Sequence, residues 1–256
     1  MKVVRSVGEM PKGIGTLHGF VPTMGALHEG HLSLVRTARK ECDFVSASIF
    51  VNPLQFGANE DLSRYPRPEA QDLVALEEEG VDLVLLPKPE DILSTEGVSV
   101  RVKGVSDRWE GARRPGHFDG VATIVTKLFN IFEPDRAYFG LKDFQQCAVV
   151  RALVASLNFA IDLRFCETIR EPDGLALSSR NVYLTPSQRH LAPLIHSTLN
   201  SVKESIAVGE SVDDVIDESI STLTESGFKV DYLALVDSDS LVPISTTTEH
   251  SRIICA

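Results

Sequence analysis

Val21-Pro22-Thr23-Met24-Gly25-Ala26-Leu27-His28-Glu29-Gly30-His31-Leu32-Ser33-Leu34-Val35 decides the reading of this chain. Upstream, Gly15 to Val21 has the texture of a short strand, which Pro22 is expected to close because proline lacks the ladder donor. Downstream, Leu32, Val35 and Ala38 recur at helical spacing and predict a helix from about Gly30 towards Glu41. A helix N-terminus carries free N–H groups and partial positive charge, which suit it to phosphate. Gly25 and Gly30 let backbone approach a ligand closely, and His28 and His31, three apart, share one helical face. Two histidines at this spacing would also suit half of a zinc site, but no cysteine or third histidine lies nearby. Strand, glycines, H-x-G-H and helix together read as a nucleotide triphosphate site.

Working outward, strands and helices alternate. Phe44 to Val51 is a nearly continuous apolar run, as in a strand covered on both faces. Glu69 to Glu79 reads as a helix ended by Gly80, with strands at Val81 to Leu86 and Val98 to Val102. Asp119 is placed to cap a helix reaching Phe132. Arg136 to Phe139 then forms a strand, Lys142 to Leu157 a helix and Ile161 to Phe165 a last strand. The expected fold is α/β, a Rossmann-like parallel sheet with ligands at the carboxyl ends of its strands. After about Thr168 the texture changes. Thr185-Pro186-Ser187-Gln188 is a capping box for a helix running to about Ile206, and Ser211 caps another that ends at Gly227. Strands at Val230 to Val236 and Arg252 to Cys255 complete a smaller α+β C-terminal domain, dividing the chain into 1–167 and 168–256.

Composition narrows the class. A chain of 256 residues buries a sizeable core in one large domain or two smaller ones. With 25 basic against 36 acidic residues the net charge is -11, which argues against a nucleic-acid partner. No apolar run approaches the ~20 residues that span a bilayer. Lys2 and Arg5 are not followed by an apolar stretch, so no signal peptide is expected. Cys42, Cys147, Cys166 and Cys255 are scattered without a C-x-x-C pair, as reduced thiols in a cytoplasmic protein would be.

Four further clusters fall where loops should meet the ligand. Gln55, in Phe50-Val51-Asn52-Pro53-Leu54-Gln55-Phe56, is a neutral donor and acceptor suited to a hydroxyl or carboxylate. Arg113-Arg114-Pro115-Gly116-His117-Phe118 presents two guanidinium groups near a turn. Phe139-Gly140-Leu141-Lys142-Asp143-Phe144-Gln145-Gln146 joins a strand to a helix, with Lys142 suited to phosphate and Asp143 to a ribose hydroxyl or a cap. Leu177-Ser178-Ser179-Arg180-Asn181 offers hydroxyls and a guanidinium to triphosphate oxygens.

PTMGALHEGHLSLV, FVNPLQF, EDLSRYPR, RPGHFDGV, KDFQQ and DGLALSSRNVYL, in that order, resemble the pantoate–β-alanine ligases. These belong to the nucleotidyltransferase superfamily that carries H-x-G-H and a KMSKS-like loop. The resemblance implies ATP-dependent condensation of pantoate with β-alanine to pantothenate, AMP and pyrophosphate, through a pantoyl adenylate. It implies an ATP site made of Met24, Gly25, Ala26, Leu27, His28, Glu29, Gly30 and His31, then Gly140, Leu141, Lys142 and Asp143. Ile169 at the adenine and Leu177, Ser178, Ser179 and Arg180 would complete it. His31, the family's catalytic histidine and proton donor, would act with His28, Lys142 and Arg180. Gln55 and Gln146 would hold pantoate, with Gln55 also next to β-alanine. Mg2+ would arrive with ATP, near Asp61, and the protein would be a homodimer in the cytoplasm. The loop from Phe56 to Asn59, running into Asp61 to Arg67, is a candidate lid. Leu141 departs from the family, which usually carries a polar residue there, and Leu93 to Gly97 lacks the usual Tyr-Pro pair. A related adenylyltransferase acting on a phosphorylated acceptor would call for Lys or Arg in place of Gln55 and Gln146. A non-catalytic nucleotide sensor would not need His28, His31, Lys142 and Arg180 together.

Overall fold

The computed structural model describes all residues except 59 and 94–96. Asn59 within the candidate lid, and the centre of the segment lacking Tyr-Pro, therefore lie outside the described residues.

The first part of the chain is an α/β unit. Its strands are β1 (Lys2–Val4), β2 (His18–Thr23), β3 (Phe44–Ile49), β4 (Leu83–Leu85), β5 (Arg136–Gly140) and β6 (Asp162–Cys166). Its helices are α1 (Glu29–Glu41), α2 (Glu69–Glu78), α3 (Pro89–Ile92), α4 (Trp109–Arg113), α5 (His117–Phe132) and α6 (Phe144–Ser156). All six strands are parallel, in the order β1-β4-β3-β2-β5-β6. Alternation of side chains along each strand builds two cores. Phe20, Leu83, Leu85, Ala137 and Phe139 pack under α5 and α6, while Val21, Val45, Ala47, Val84 and Tyr138 pack under α1 and α2. Both faces are covered, which fits the nearly continuous apolar run in β3, interrupted by the buried Ser46 and Ser48.

After the edge strand β1, the chain enters the centre with β2, works to one side through β3 and β4, and returns to the other side with β5 and β6. The crevice at this reversal is the place where such sheets bind ligands. Here it opens for a visible reason. The β2–β5 ladder holds only at Gly19–Arg136 and Phe20–Ala137, so the strands part above Phe20. Pro22 sits in that parting. Thr23 turns its carbonyl to Phe50 on the β3 side, so Pro22 faces β5, where no partner needs its missing N–H. The expectation that Pro22 closes the strand is therefore corrected: β2 runs through it to Thr23.

Two other expectations change, and one strand was not foreseen. Val98 to Val102 is not a strand; the Val100 N–H donates to Thr123 Oγ1 of α5 at 2.9 Å, and Val100 and Val102 fill the edge of that core. Gly116, at φ 84°, occupies the N-cap of α5, and Asp119 lies within its first turn. Lys2–Val4 adds an edge strand against β4 that is too short to show a period.

The second part holds α7 (Pro186–Leu191), α8 (Leu194–Ala207), α9 (Val212–Glu225) and the antiparallel pair β7 (Leu233–Asp237) and β8 (Ser251–Cys255). The single helix expected from Pro186 to Ile206 is broken at Ala192–Pro193, because proline cannot donate into the preceding turn. Thr185 and Gln188 form the capping box, and Ser211 caps α9. Val202, Ile206, Val215, Leu233 and Leu235 make a separate core. A seam of Phe144 and Ala148 against Val236 and Leu241 joins the two parts. The Trp109 Nε1–H bond to the Leu241 carbonyl, 2.9 Å, and the Arg113–Asp231 ion pair, 2.9 Å, reinforce it. Among the described residues no helix is long and apolar enough to cross a membrane, and all four cysteines are free.

Candidate active site

The H-x-G-H turn is a reciprocal cap made of histidines. His28 is the N-cap of α1: its Nδ1 accepts from the Gly30 N–H at 3.1 Å, while the His28 N–H donates to His31 Nδ1 at 3.4 Å. The ring centroids are 4.1 Å apart. With both Nδ1 atoms accepting from backbone, the neutral tautomer of each ring carries its proton on Nε2. Neither Nε2 has a protein partner among the described residues, so each is a donor left for a ligand. Burial, then the neighbouring His28, pushes the His31 pKa down to about 3; burial, then Lys142, lowers that of His28. Both rings are therefore neutral at pH 7 in the free protein.

The loop in front of them is held from below. Gly25 has φ 78° and Ala26 φ 51°, a left-handed pair that an alanine adopts only under constraint. Asp72 of α2, 3% exposed, supplies that constraint by accepting the Ala26 and Leu27 N–H groups, each at 2.8 Å. A side chain at Gly25 would place its Cβ 2.9 Å from both Asp72 Oδ2 and Ile49, so only glycine fits.

Gln55 lies on a 3-10 turn, Pro53–Gln55, capped by Asn52. Asn52 Nδ2 donates to Gln55 Oε1 at 3.0 Å and to the Gly120 carbonyl at 3.1 Å. That fixes the amide with its nitrogen turned to Met24 Sδ, 3.2 Å away. A Cβ on Gly120 would stand 2.2 Å from the Leu54 carbonyl oxygen, so glycine at this point of α5 lets the turn dock. The Gln55 carbonyl accepts from His117 Nδ1 at 2.7 Å. Arg114 is committed to Glu60, 2.5 Å, and Glu110, 3.3 Å.

Opposite, β5 runs into the 3-10 turn Leu141–Asp143 and then α6. Lys142 Nζ lies 3.3 Å from Asp143 Oδ1. Of the adjacent glutamines, Gln146 borders the cavity, whereas Gln145 is structural: it accepts from the Glu110 N–H and donates to the Val105 and Arg108 carbonyls. The second part supplies the remaining wall. Leu177 N–H donates to the Ile169 carbonyl at 3.0 Å, and Ser178 caps the 3-10 helix Ser179–Tyr183. Arg180 forks onto Asp61, Nε to Oδ2 and Nη2 to Oδ1, both 2.8 Å.

These groups enclose one cavity of about 200 Å3 at the sheet's switch point. Met24, His28, Gly30, His31, Gln55, Gly140, Lys142, Asp143, Gln146, Ile169, Leu177, Ser178, Ser179 and Arg180 all border it. Five expected residues do not. Gly25, Ala26 and Leu27 face Asp72, Glu29 pairs with Arg36 on the outer side of α1, and Leu141 packs into the apolar cores. The polar residue usual in the family at Leu141 is thus replaced at a position turned away from the cavity. Arg114 and His117, from the cluster expected to meet the ligand, border it as well, and so do Tyr65, which lies in EDLSRYPR, and Glu167, which had not been singled out. Asp61, expected near a metal, is occupied by Arg180, which holds its carboxyl below the usual range. Among the described residues no group of three His, Cys, Asp or Glu side chains could hold a metal ion.

Comparison with known proteins identifies the family. The family model described as pantoate-beta-alanine ligase matches residues 2–256. A pantothenate synthetase from Koribacter versatilis is 49% identical, over 100% of this chain and 91% of its own length. The crystal structure of pantothenate synthetase from Thermus thermophilus superposes with a TM-score of 0.95 at 45% identity, covering 100% of this chain and 94% of that one. The pantoate-beta-alanine ligase of Francisella tularensis, complexed with beta-gamma ATP and beta-alanine, gives 0.76 at 33% identity over 91% of this chain and 88% of its own. With its full length matched and its motifs gathered around one crevice, the chain belongs to the pantoate–β-alanine ligase family.

Proposed function

We propose that this protein condenses pantoate with β-alanine, consuming ATP and releasing AMP and pyrophosphate, through a pantoyl adenylate kept in the cavity. The observation that carries the reading is the meeting of four separate segments, at His28–His31, Gln55, Lys142–Gln146 and Ser178–Arg180, around one crevice. A carboxylate is a poor acyl donor, so its oxygen must first attack the α-phosphate and expel pyrophosphate. Gln55 and Gln146 hold that carboxylate through neutral amides, which orient it without quenching its charge. The Nε2–H groups of His28 and His31 donate to the α-phosphate oxygens as charge builds on them. Lys142 and Arg180 take the departing β- and γ-phosphates, Ser178 and Ser179 add hydroxyl donors, and Ile169 and Leu177 border the adenine. In the second step the β-alanine amine, beside Gln55, attacks the mixed anhydride and AMP leaves.

Mg2+ enters as part of the nucleotide substrate, bound to its phosphates. We further assign residues 1–167 to a nucleotide- and pantoate-binding domain and 168–256 to a smaller domain that closes over it. The free thiols suit a reducing cytoplasm. Family resemblance supports a homodimer, to be read by light scattering. Incubation with ATP, pantoate and β-alanine should yield pantothenate and AMP in equal amounts. Failure to form AMP with all three present would overturn the proposal.

A further inference from the structure

We propose that Asp61 is an internal stand-in for phosphate: it holds Arg180 while the triphosphate is absent and competes with pyrophosphate for it. The inference rests on the assignment of Arg180 to the phosphates. A carboxylate gripped by both Nε and Nη2 at 2.8 Å copies the two-pronged way a guanidinium takes two oxygens of a phosphate. The carboxylate is also built into place. The carbonyl of Asp61 accepts the Arg64 and Tyr65 N–H groups at 2.9 and 2.8 Å, which winds 61–65 into a turn. That turn is clamped to the opposite loop by Tyr65 OH to Ser179 Oγ, 3.1 Å, and by Tyr183 OH to the Arg64 carbonyl, 2.7 Å.

The two partners are unequally free. The Asp61 side chain is 14% exposed and Arg180 45%, so the arginine is the member able to turn away. Its guanidinium lies over the rings of Tyr65, at 5.8 Å, and Phe56, at 6.0 Å, both of which border the cavity. They offer a path along which it keeps a favourable contact while changing anions. Entry of the triphosphate breaks the Asp61 pair, so part of the attraction between Arg180 and the γ-phosphate is offset. Departure of pyrophosphate restores the pair. The same exchange therefore weakens ATP binding and hastens release of the first product, without altering the chemistry at the α-phosphate.

Asp61→Asn keeps the shape and removes the charge. A partly exposed pair of this kind is worth about fivefold in an equilibrium constant. Asp61→Asn should therefore bind ATP and pyrophosphate each about fivefold more tightly, show stronger product inhibition by pyrophosphate, and release it more slowly in a rapid-mixing experiment. A purely structural role predicts the opposite sign, since a loosened turn weakens binding. Asp61→Ser carries the same expectation if the first variant folds poorly. Arg180→Ala should weaken both ligands, and adding Asp61→Asn to it should produce no tightening. If Arg180→Ala leaves the affinities unchanged, the phosphate assignment fails. If Arg180→Ala weakens binding while both Asp61 variants leave it unchanged or weaker, the stand-in is overturned.

Discussion

Asp72 and Leu27, 45 residues apart, are joined by a 2.8 Å bond from the Leu27 N–H to a carboxylate that also takes the Ala26 N–H. No cation balances this buried acid among the described residues, and burial raises its pKa against the pull of the two amides. Its work is conformational: it fixes the left-handed turn from which His28 and His31 project. Asp72→Ala should leave a folded protein, destabilised by about 1–3 kcal/mol for two lost bonds to a charged acceptor. Adenylate formation should fall at least tenfold with little change in the KM for ATP. Faster hydrogen exchange at Ala26 and Leu27 would locate the defect; unchanged exchange with full activity would remove Asp72 from the argument.

His31→Ala should abolish most adenylate formation. Loss of one preorganised donor at a site of developing charge costs ~3 kcal/mol, or about a hundredfold in rate. Pyrophosphate release from ATP and pantoate measures it, with circular dichroism to verify the fold. Near-normal release would exclude His31 from the first step.

Gln55 and Gln145 differ in role and should differ in phenotype. Gln55→Ala should raise the pantoate requirement far more than the ATP requirement. Gln145→Ala removes bonds to Glu110, Val105 and Arg108 and should lower the melting temperature instead. Were ATP dependence to change most in Gln55→Ala, its ligand would be misassigned.

Lys142→Ala should slow the first half-reaction and spare attack on preformed adenylate, because the phosphates proposed for it leave with pyrophosphate. The unaltered enzyme, given ATP and pantoate alone, should release a burst of about one pyrophosphate per site and then nearly stop until β-alanine is added. Continuous release without β-alanine would mean that water reaches the anhydride.

His18 gives a pH dependence unrelated to catalysis. It is 1% exposed, bonded through Nε2 to Ser46 Oγ at 2.6 Å, and burial lowers its pKa to about 4. Folded pKa below unfolded pKa means that the unfolded chain binds the extra proton, so stability is full above ~6.5 and falls as pH drops towards 4. Urea unfolding should show about 2 kcal/mol lost through this group between pH 7 and pH 5. His18→Gln should lose correspondingly less over the same interval. Equal losses in the two proteins would place the dependence elsewhere.

The sequence by itself determined the local devices, because each is written in neighbouring residues. The helix start near Gly30, the capping box at Thr185–Gln188 and the apolar period of the strands needed no distant partner to be read, whereas the reciprocal histidine cap showed only in the fold. Motif order sufficed for the family. Tertiary structure decided what depended on contacts far along the chain. Pro22 was read as a strand end, yet the strand passes through it because β5 has already diverged on its N side. Val98 to Val102 had a strand's composition but found Thr123 instead of a ladder. Gln145 and Gln146 are alike in sequence, and only the packing of α4 on α6 makes one structural and turns the other to the cavity. The bonds of Asp72 under the His28–His31 turn and of Asp61 to Arg180 carried no sequence signal, because a carboxylate's partner across 45 or 119 residues is set by how the chain folds back.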